Sequence, residues 1–281
     1  MTTATLTERL PEPTFIDRIG NWLADVWVMT RRNLIHIRRE PQQLSDVTIQ
    51  PILFTLLFVY VFGAAMVLPG SASYKLFAIP GLLVMNLTMS CVGTAIGLST
   101  DLKTGVIDRL RTLPMSQTSI LVGRSLSDLL AAILCAVILL ATGLAIGWRP
   151  DASAGSVLAA IGIGVLFSYA LSWLMTCFGL AAPSPESAQG MVFIVMFPLA
   201  FISNVFSTTQ GMPSWLAAVA NWNPVSATAS ACRTLFGNPN PSAAVHAWPM
   251  QHPVAASLIW AIALLVICVP VAGRLYKHRA G

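Results

Sequence analysis

The run VLAAIGIGVLFSYALSWLMTCFGL, Val157–Leu180, contains no charged residue, and its polar groups are hydroxyls, a thiol and one indole. About 20 residues of α-helix cross a hydrocarbon core about 30 Å thick, so this run is long enough to span. Apolar side chains fall on every side of such a helix instead of alternating with a period of two. That pattern excludes a barrel strand, since a lone segment in lipid must satisfy its backbone polar groups internally. An all-α, membrane-spanning class follows.

Five further windows share these properties: Val47–Leu68, Leu76–Leu98, Leu129–Gly147, Met191–Phe206 and Val254–Val271. Met191–Phe206 is short unless its helix begins near Ala188, and with that extension six spans are expected. The whole chain agrees: 281 residues, 56% hydrophobic and 10% charged, with a mean hydropathy of +0.73. A soluble domain of this length needs more surface polarity. The first twenty residues hold Glu8, Glu12, Asp17 and two prolines and no apolar h-region, so the first span is expected to serve as its own insertion signal.

Lys and Arg set the orientation. With the N-terminus in the cytoplasm, the inner segments hold Arg9, Arg18, Arg31, Arg32, Arg38, Arg39, Lys103, Arg109, Arg111, Arg124, Arg274, Lys277 and Arg279. The outer segments hold Lys75, Arg149 and Arg233. This bias places both termini of a multi-pass cell-membrane protein in the cytoplasm. The net charge of +5 is thus a topology signal and an attraction to anionic lipid heads, with no nucleic-acid partner expected. Five scattered cysteines make no disulfide framework, and four histidines show no metal-ligand spacing, so no metal is expected.

Residues 1–14 read as a flexible cytoplasmic tail. Over 15–40 the pattern becomes amphipathic: Trp22, Leu23, Val26 and Trp27 share a side opposite Arg31, Arg32, Arg38 and Arg39, with Val28 and Ile35 as exceptions. A helix lying among the inner lipid headgroups is expected. Pro41 ends it, because its ring lacks an N–H and biases the preceding residue away from α. The six-span unit is expected over 46–274, followed by a cytoplasmic tail over 275–281.

Within the spans, Asn86, Ser90, Gly93 and Gly97 recur at steps of four, three and four, and Gly164, Ser168, Ser172 and Thr176 repeat the idea. Such faces favour close helix packing, and lining a substrate path is the second reading. Phe193, Phe197 and Phe201 line one side of the fifth span, as lipid-facing packing or as an apolar substrate surface. Asp46 and Asp128 are read at cytoplasmic span ends, leaving no charge at mid-span. Ion-coupled carriers usually need such a charge, and a membrane-embedded transferase needs converging catalytic side chains. Neither constellation is visible, and a membrane-embedded transferase and an ion-coupled carrier or channel remain the alternatives.

The outer segment 207–253 is read as two short helices, Pro213–Asn221 and Pro224–Phe236, half-inserted over the outer mouth. Trp215, Trp222 and Trp248 are belt residues there, Pro224 opens the second helix, and Arg233 is either paired with a polar group or solvated. On the other side, the loop 100–125 contains GVIDRLRTLP, in which Gly105 and Pro114 bracket a short helix. Leu110 and Leu113 share a face, with Asp108, Arg109 and Arg111 around them, suiting a groove with an acidic rim on another protein. A positive-inside loop without a partner is the plain alternative.

Four segments together, RRNLIHIRREPQQL (Arg31–Leu44), IQPILFTLLFVYVFG (Ile49–Gly63), TGVIDRLRTLPMS (Thr104–Ser116) and Phe197–Gly237, resemble the ABC-2 type permeases, the membrane subunits of ATP-binding-cassette exporters, closest to the daunorubicin-resistance permease branch. The resemblance covers nearly the whole chain. It implies that Phe15–Arg39 is a connecting helix, that Gly105–Pro114 is the coupling helix docking on a nucleotide-binding ATPase subunit, and that the outer helices form an exit gate. It also implies two permease copies, most simply a homodimer, moving a drug-like or lipid-like amphiphile outward. No Gly-Lys-Ser/Thr phosphate loop exists in the sequence, so this chain is expected to bind no cofactor, with ATP and Mg on the partner subunit.

Overall fold

The computed structural model describes residues 15–39, 41–65, 73–111 and 117–279. Every regular element in these residues is helical. Helix α1 (Phe15–Arg39) is followed at once by α2 (Pro41–Leu57), which passes through a π-helical turn (Phe58–Phe62) into a short α3 (Gly63–Ala65). Next come α4 (Tyr74–Ser90) and α5 (Val92–Lys103), one long rod broken at Cys91, then α6 (Val106–Arg111) and α7 (Gln117–Ala145). The remainder is α8 (Ala154–Ala181), α9 (Pro185–Phe201), α10 (Ser214–Trp222), α11 (Pro224–Leu235), α12 (Trp248–Gln251) and α13 (Pro253–His278).

Helix starts follow local chemistry. Ser153 accepts a hydrogen bond from the Ser156 amide (3.3 Å), Ser184 from that of Ser187 (3.2 Å) and Asn223 from that of Val225 (2.8 Å), each occupying a donor that the first turn leaves unpaired. Pro185, Pro224 and Pro253 sit where the missing N–H costs nothing.

Five helices are long and apolar enough to cross a membrane: Leu44–Phe62, Tyr74–Lys103, Ser119–Ala145, Ala154–Ala181 and Pro253–Lys277. Pro185–Phe201 is apolar but shorter. The protein is therefore an all-α, multi-pass membrane protein. Helix α4 is its centre, with every residue from Phe77 to Thr88 buried against α7, α8 and α11. At the periphery, α2 exposes Leu53 and Phe54, the π-helical turn after it exposes Tyr60 and Val61, and α13 exposes Ile259, Ile262, Val266 and Ile267. These faces, bare of charge, suit lipid or another apolar helix.

Two expectations need correction. The third apolar helix begins ten residues before the expected Leu129, and its added turns are held by Arg124 donating to Asp101 and by Thr94 donating to Asp128. Helix α11 is also no surface cap. Val225 through Arg233 are all buried, against α4, α8 and α13, so it belongs to the core.

Candidate functional site

At one end of the bundle, Gly105 adopts φ +69°, a left-handed conformation that glycine takes without a Cβ penalty. Its amide donates to Leu102 O (3.2 Å) and its carbonyl accepts from the Arg109 amide (3.2 Å), so one residue closes α5 and opens α6. Ile107, a residue the sequence reading did not single out, anchors α6 in an apolar cluster with Leu98 and Leu121. Arg109 is exposed. The side chains of Asp108, Leu110 and Arg111, and all of Leu113 and Pro114, lie outside the described residues, so the expected two-leucine face has no structural description.

Helix α1 packs on α7 at Gly123, where an added Cβ would stand 2.5 Å from Met29 Cβ and 3.1 Å from Val26 O. Thr30 Oγ1 donates to Val26 O (2.8 Å) and to Gly123 O (3.2 Å). The expected apolar stripe is thereby divided: Val26 is buried, while Leu23 and Trp27 are exposed and Trp22 half-buried. Arg31 and Arg39 are exposed and the Arg38 side chain lies outside the described residues. Arg32 instead reaches Asp101 (3.7 Å), which also takes a 2.8 Å charge-assisted hydrogen bond from Arg124 Nη1. One carboxylate thus ties α1, α5 and α7 together. Close by, Arg279 Nη2 donates to Ala182 O (2.8 Å) and Ala181 O (3.2 Å), placing a cation on the C-terminal carbonyls of α8.

Behind this cluster a cavity of about 340 Å³ opens between α1, α2, α5, α7 and α8. Ser90, Gly93, Gly97, Ser168 and Ser172, expected as packing or pathway residues, all line it, together with Asp46, Thr94, Asp101, Arg124 and Asp128. A Cβ at Gly93 would meet no atom within 4 Å, whereas one at Gly97 would collide with the Arg124 guanidinium. Thr94 Oγ1 donates to Asp128 Oδ2 (2.9 Å). Asn86 stands apart, buried and donating to Leu82 O (2.9 Å) within its own helix. Thr94, Gly97 and Asp101, at steps of three and four opposite Arg124 and Asp128, were the pattern that could have pointed to this face.

At the opposite end, Arg233 is completely buried, which overturns the solvated alternative. Its Nε donates to Phe77 O (3.0 Å), Nη1 to Asn204 Oδ1 (3.2 Å), and Nη2 to Asn204 O (2.9 Å) and Val205 O (3.0 Å). The guanidinium also lies 3.8 Å from the centroid of the Phe77 ring. Burial pulls its pKa down to about 9, still above neutral pH, so the cation persists. Gly81 leaves the room: an added Cβ would stand 2.7 Å from both Arg233 Nη2 and Val205 O. Asn204 completes the hub, donating to Ser230 Oγ (2.7 Å) and Ser242 Oγ (3.0 Å). Trp215, Trp222, Phe193 and Phe197 are exposed, and Pro224 opens α11 next to the Asn223 cap.

Among the described residues no three His, Cys, Asp or Glu side chains could hold a metal ion. Long apolar helices around a polar cavity make a membrane protein with a chamber inside its bundle. The chain belongs to the ABC-2 type transporter family, whose profile matches residues 24–236. It is 32% identical over 248 residues to the daunorubicin resistance ABC transporter permease protein DrrB1 of Streptomyces coeruleorubidus, covering 88% of this chain and 84% of that one. It is 23% identical over 254 residues to the probable doxorubicin resistance permease DrrC of Mycobacterium tuberculosis, covering 89% and 88%. It is 24% identical over 219 residues to the putative transport permease ycf38 of Porphyra purpurea, covering 77% and 75%. The chain is thus an ABC transporter permease, and membership implies a cognate ATPase subunit and a dimeric permease arrangement.

Proposed function

We propose that this chain is the permease of an exporter that moves a drug-like or lipid-like amphiphile out of the cytoplasm or inner leaflet, with energy from a separate ATPase subunit carrying ATP and Mg. The similarity to resistance permeases along most of the chain carries the reading. In it, Pro185–Phe201, extended by the residues after it, is a sixth span, and both termini are cytoplasmic. The basic residues around α1, α5 and α7 support that orientation. Helix α1, with Trp27 exposed, lies among the inner headgroups as the connecting helix.

The segment Gly105–Pro114 is the coupling element, standing on the ATPase and passing its motion into α5 and α7. The support is geometric: α6 hangs from a left-handed glycine directly below α5 and is fixed to the bundle by Ile107. Segment 207–253 forms the exit gate, hinged on the Arg233–Asn204 hub. Two identical copies make the pathway, joined by apolar faces of the kind α2 presents. Replacing Leu110 and Arg111 together by Glu tests coupling. Loss of efflux and of substrate-stimulated ATPase in the intact complex is expected, and retained efflux would refute it.

A further inference from the structure

The charge balance of the cavity between α1, α2, α5, α7 and α8 is uneven. Its walls hold two guanidinium groups, Arg32 and Arg124; both pair with one carboxylate, Asp101, and Arg124 acts on Asp128 only from beyond ion-pair distance. Asp46 and Asp128 face the same space, and among the described residues neither has a cation within ion-pair distance. Among the described residues Asp128 takes one hydrogen bond, from Thr94. Arg124 Nε is buried without a hydrogen-bond partner, an unmatched donor in the same wall.

We propose that this cavity is a binding site for an amphiphile carrying a protonated amine, with Asp128 as the counter-ion of the ammonium. Position supports it. Thr94 of α5 donates to Asp128 of α7 across the helix pair, and Ser172 of α8 lines the same cavity. A volume of about 340 Å³ falls within the range of small-molecule sites. The remaining walls match a partly polar organic cation: Ser90, Ser168 and Ser172 offer hydroxyls, while Val47, Ile96 and Ala131 offer apolar surface. A bare metal ion does not fit, because the carboxylates are too dispersed to hold one. Arg124 Nε would take an acceptor oxygen beside the amine. The inference rests on the export reading only in drawing its occupant from the inner side of the membrane.

The test uses the permease bound to its ATPase subunit in phosphatidylcholine nanodiscs. The probes are a pyrene-labelled long-chain primary amine and its neutral N-acetyl counterpart. The wild type is expected to bind the ammonium more tightly. Asp128→Asn should weaken ammonium binding at least tenfold and leave the acetylated probe unchanged. Equal weakening of both probes, or none, would overturn the site.

Should Asp128→Asn fail to assemble, Gly93→Cys, which has open space around its Cβ, supplies a second readout. The ammonium probe should slow thiol labelling at position 93 above the wild-type background while the acetylated one does not, and equal or absent protection would overturn the proposal. Repeating the binding with phosphatidylethanolamine present separates the two sources of amine. Competition assigns a lipid headgroup and its absence a non-lipid amphiphile, and either supports the ammonium site. ATP-driven movement of a neutral amphiphile without ammonium binding would remove this site and leave the export reading standing. Asp128-dependent binding in a complex that moves nothing would do the reverse.

Discussion

Replacing Arg233 by Met should destabilise the end of the bundle that holds α11 against α4. Methionine keeps the unbranched apolar stem, ends short of the guanidinium and removes every donor. Two of the bonds lost go to Asn204 O (2.9 Å) and Val205 O (3.0 Å), in the irregular segment after α9. A buried acceptor stripped of its donor costs about 1–3 kcal/mol. Relief of the guanidinium's desolvation offsets part of that, so a net loss of about 3 kcal/mol is expected. At roughly 2–4 °C per kcal/mol for chains near this size, Tm should fall by about 6–12 °C. The assay is thermal unfolding in nanodiscs followed by size-exclusion of the surviving monodisperse fraction, with the exposed Trp215→Ala as control. Asn204→Ala combined with Arg233→Met should cost less than the sum of the two, since they share a hydrogen bond. A Tm for Arg233→Met within about a degree of wild type would refute the reasoning.

Gly81→Ala should mimic that loss, because its Cβ would press on the Val205 carbonyl, a backbone atom that cannot swing aside, at a cost of about 1–3 kcal/mol read from the same unfolding curve. Gly105→Val places a branched residue at φ +69° and should weaken ATPase stimulation in the assembled complex by distorting α6, with the Tm lowered only slightly. Gly123→Leu should lift α1 from α7, seen as faster proteolysis within Phe15–Arg39 while α8 and α13 stay protected. Arg124→Gln and Asp101→Asn should be less than additive in stability, because each alone already breaks their 2.8 Å pair.

The long apolar helices were legible because lipid demands charge-free runs of about 20 residues, a constraint written locally in the chain. Arg233 was not legible in the same way. Its partners Phe77, Asn204 and Val205 are distant in sequence, and a lone arginine in a short outer helix carries no local sign that backbone carbonyls will enclose it. Asp128 hides its partner for a related reason: a lone carboxylate in the sequence carries no sign that Thr94 on the neighbouring rod will donate to it. Ser90, Gly93, Gly97, Ser168 and Ser172 stood out by their spacing, which a packed face and a cavity wall share. Only the arrangement of five helices separates the two, and it leaves Gly93 against open space.

The most direct measurement reconstitutes the purified chain in sealed vesicles, alone and with its cognate ATPase subunit, and follows a fluorescent amphiphile after ATP addition. The paired subunits should accumulate it against its gradient, and the chain alone should only let it equilibrate. Uphill accumulation by the chain alone, or none by the pair with active ATP hydrolysis, would contradict the account.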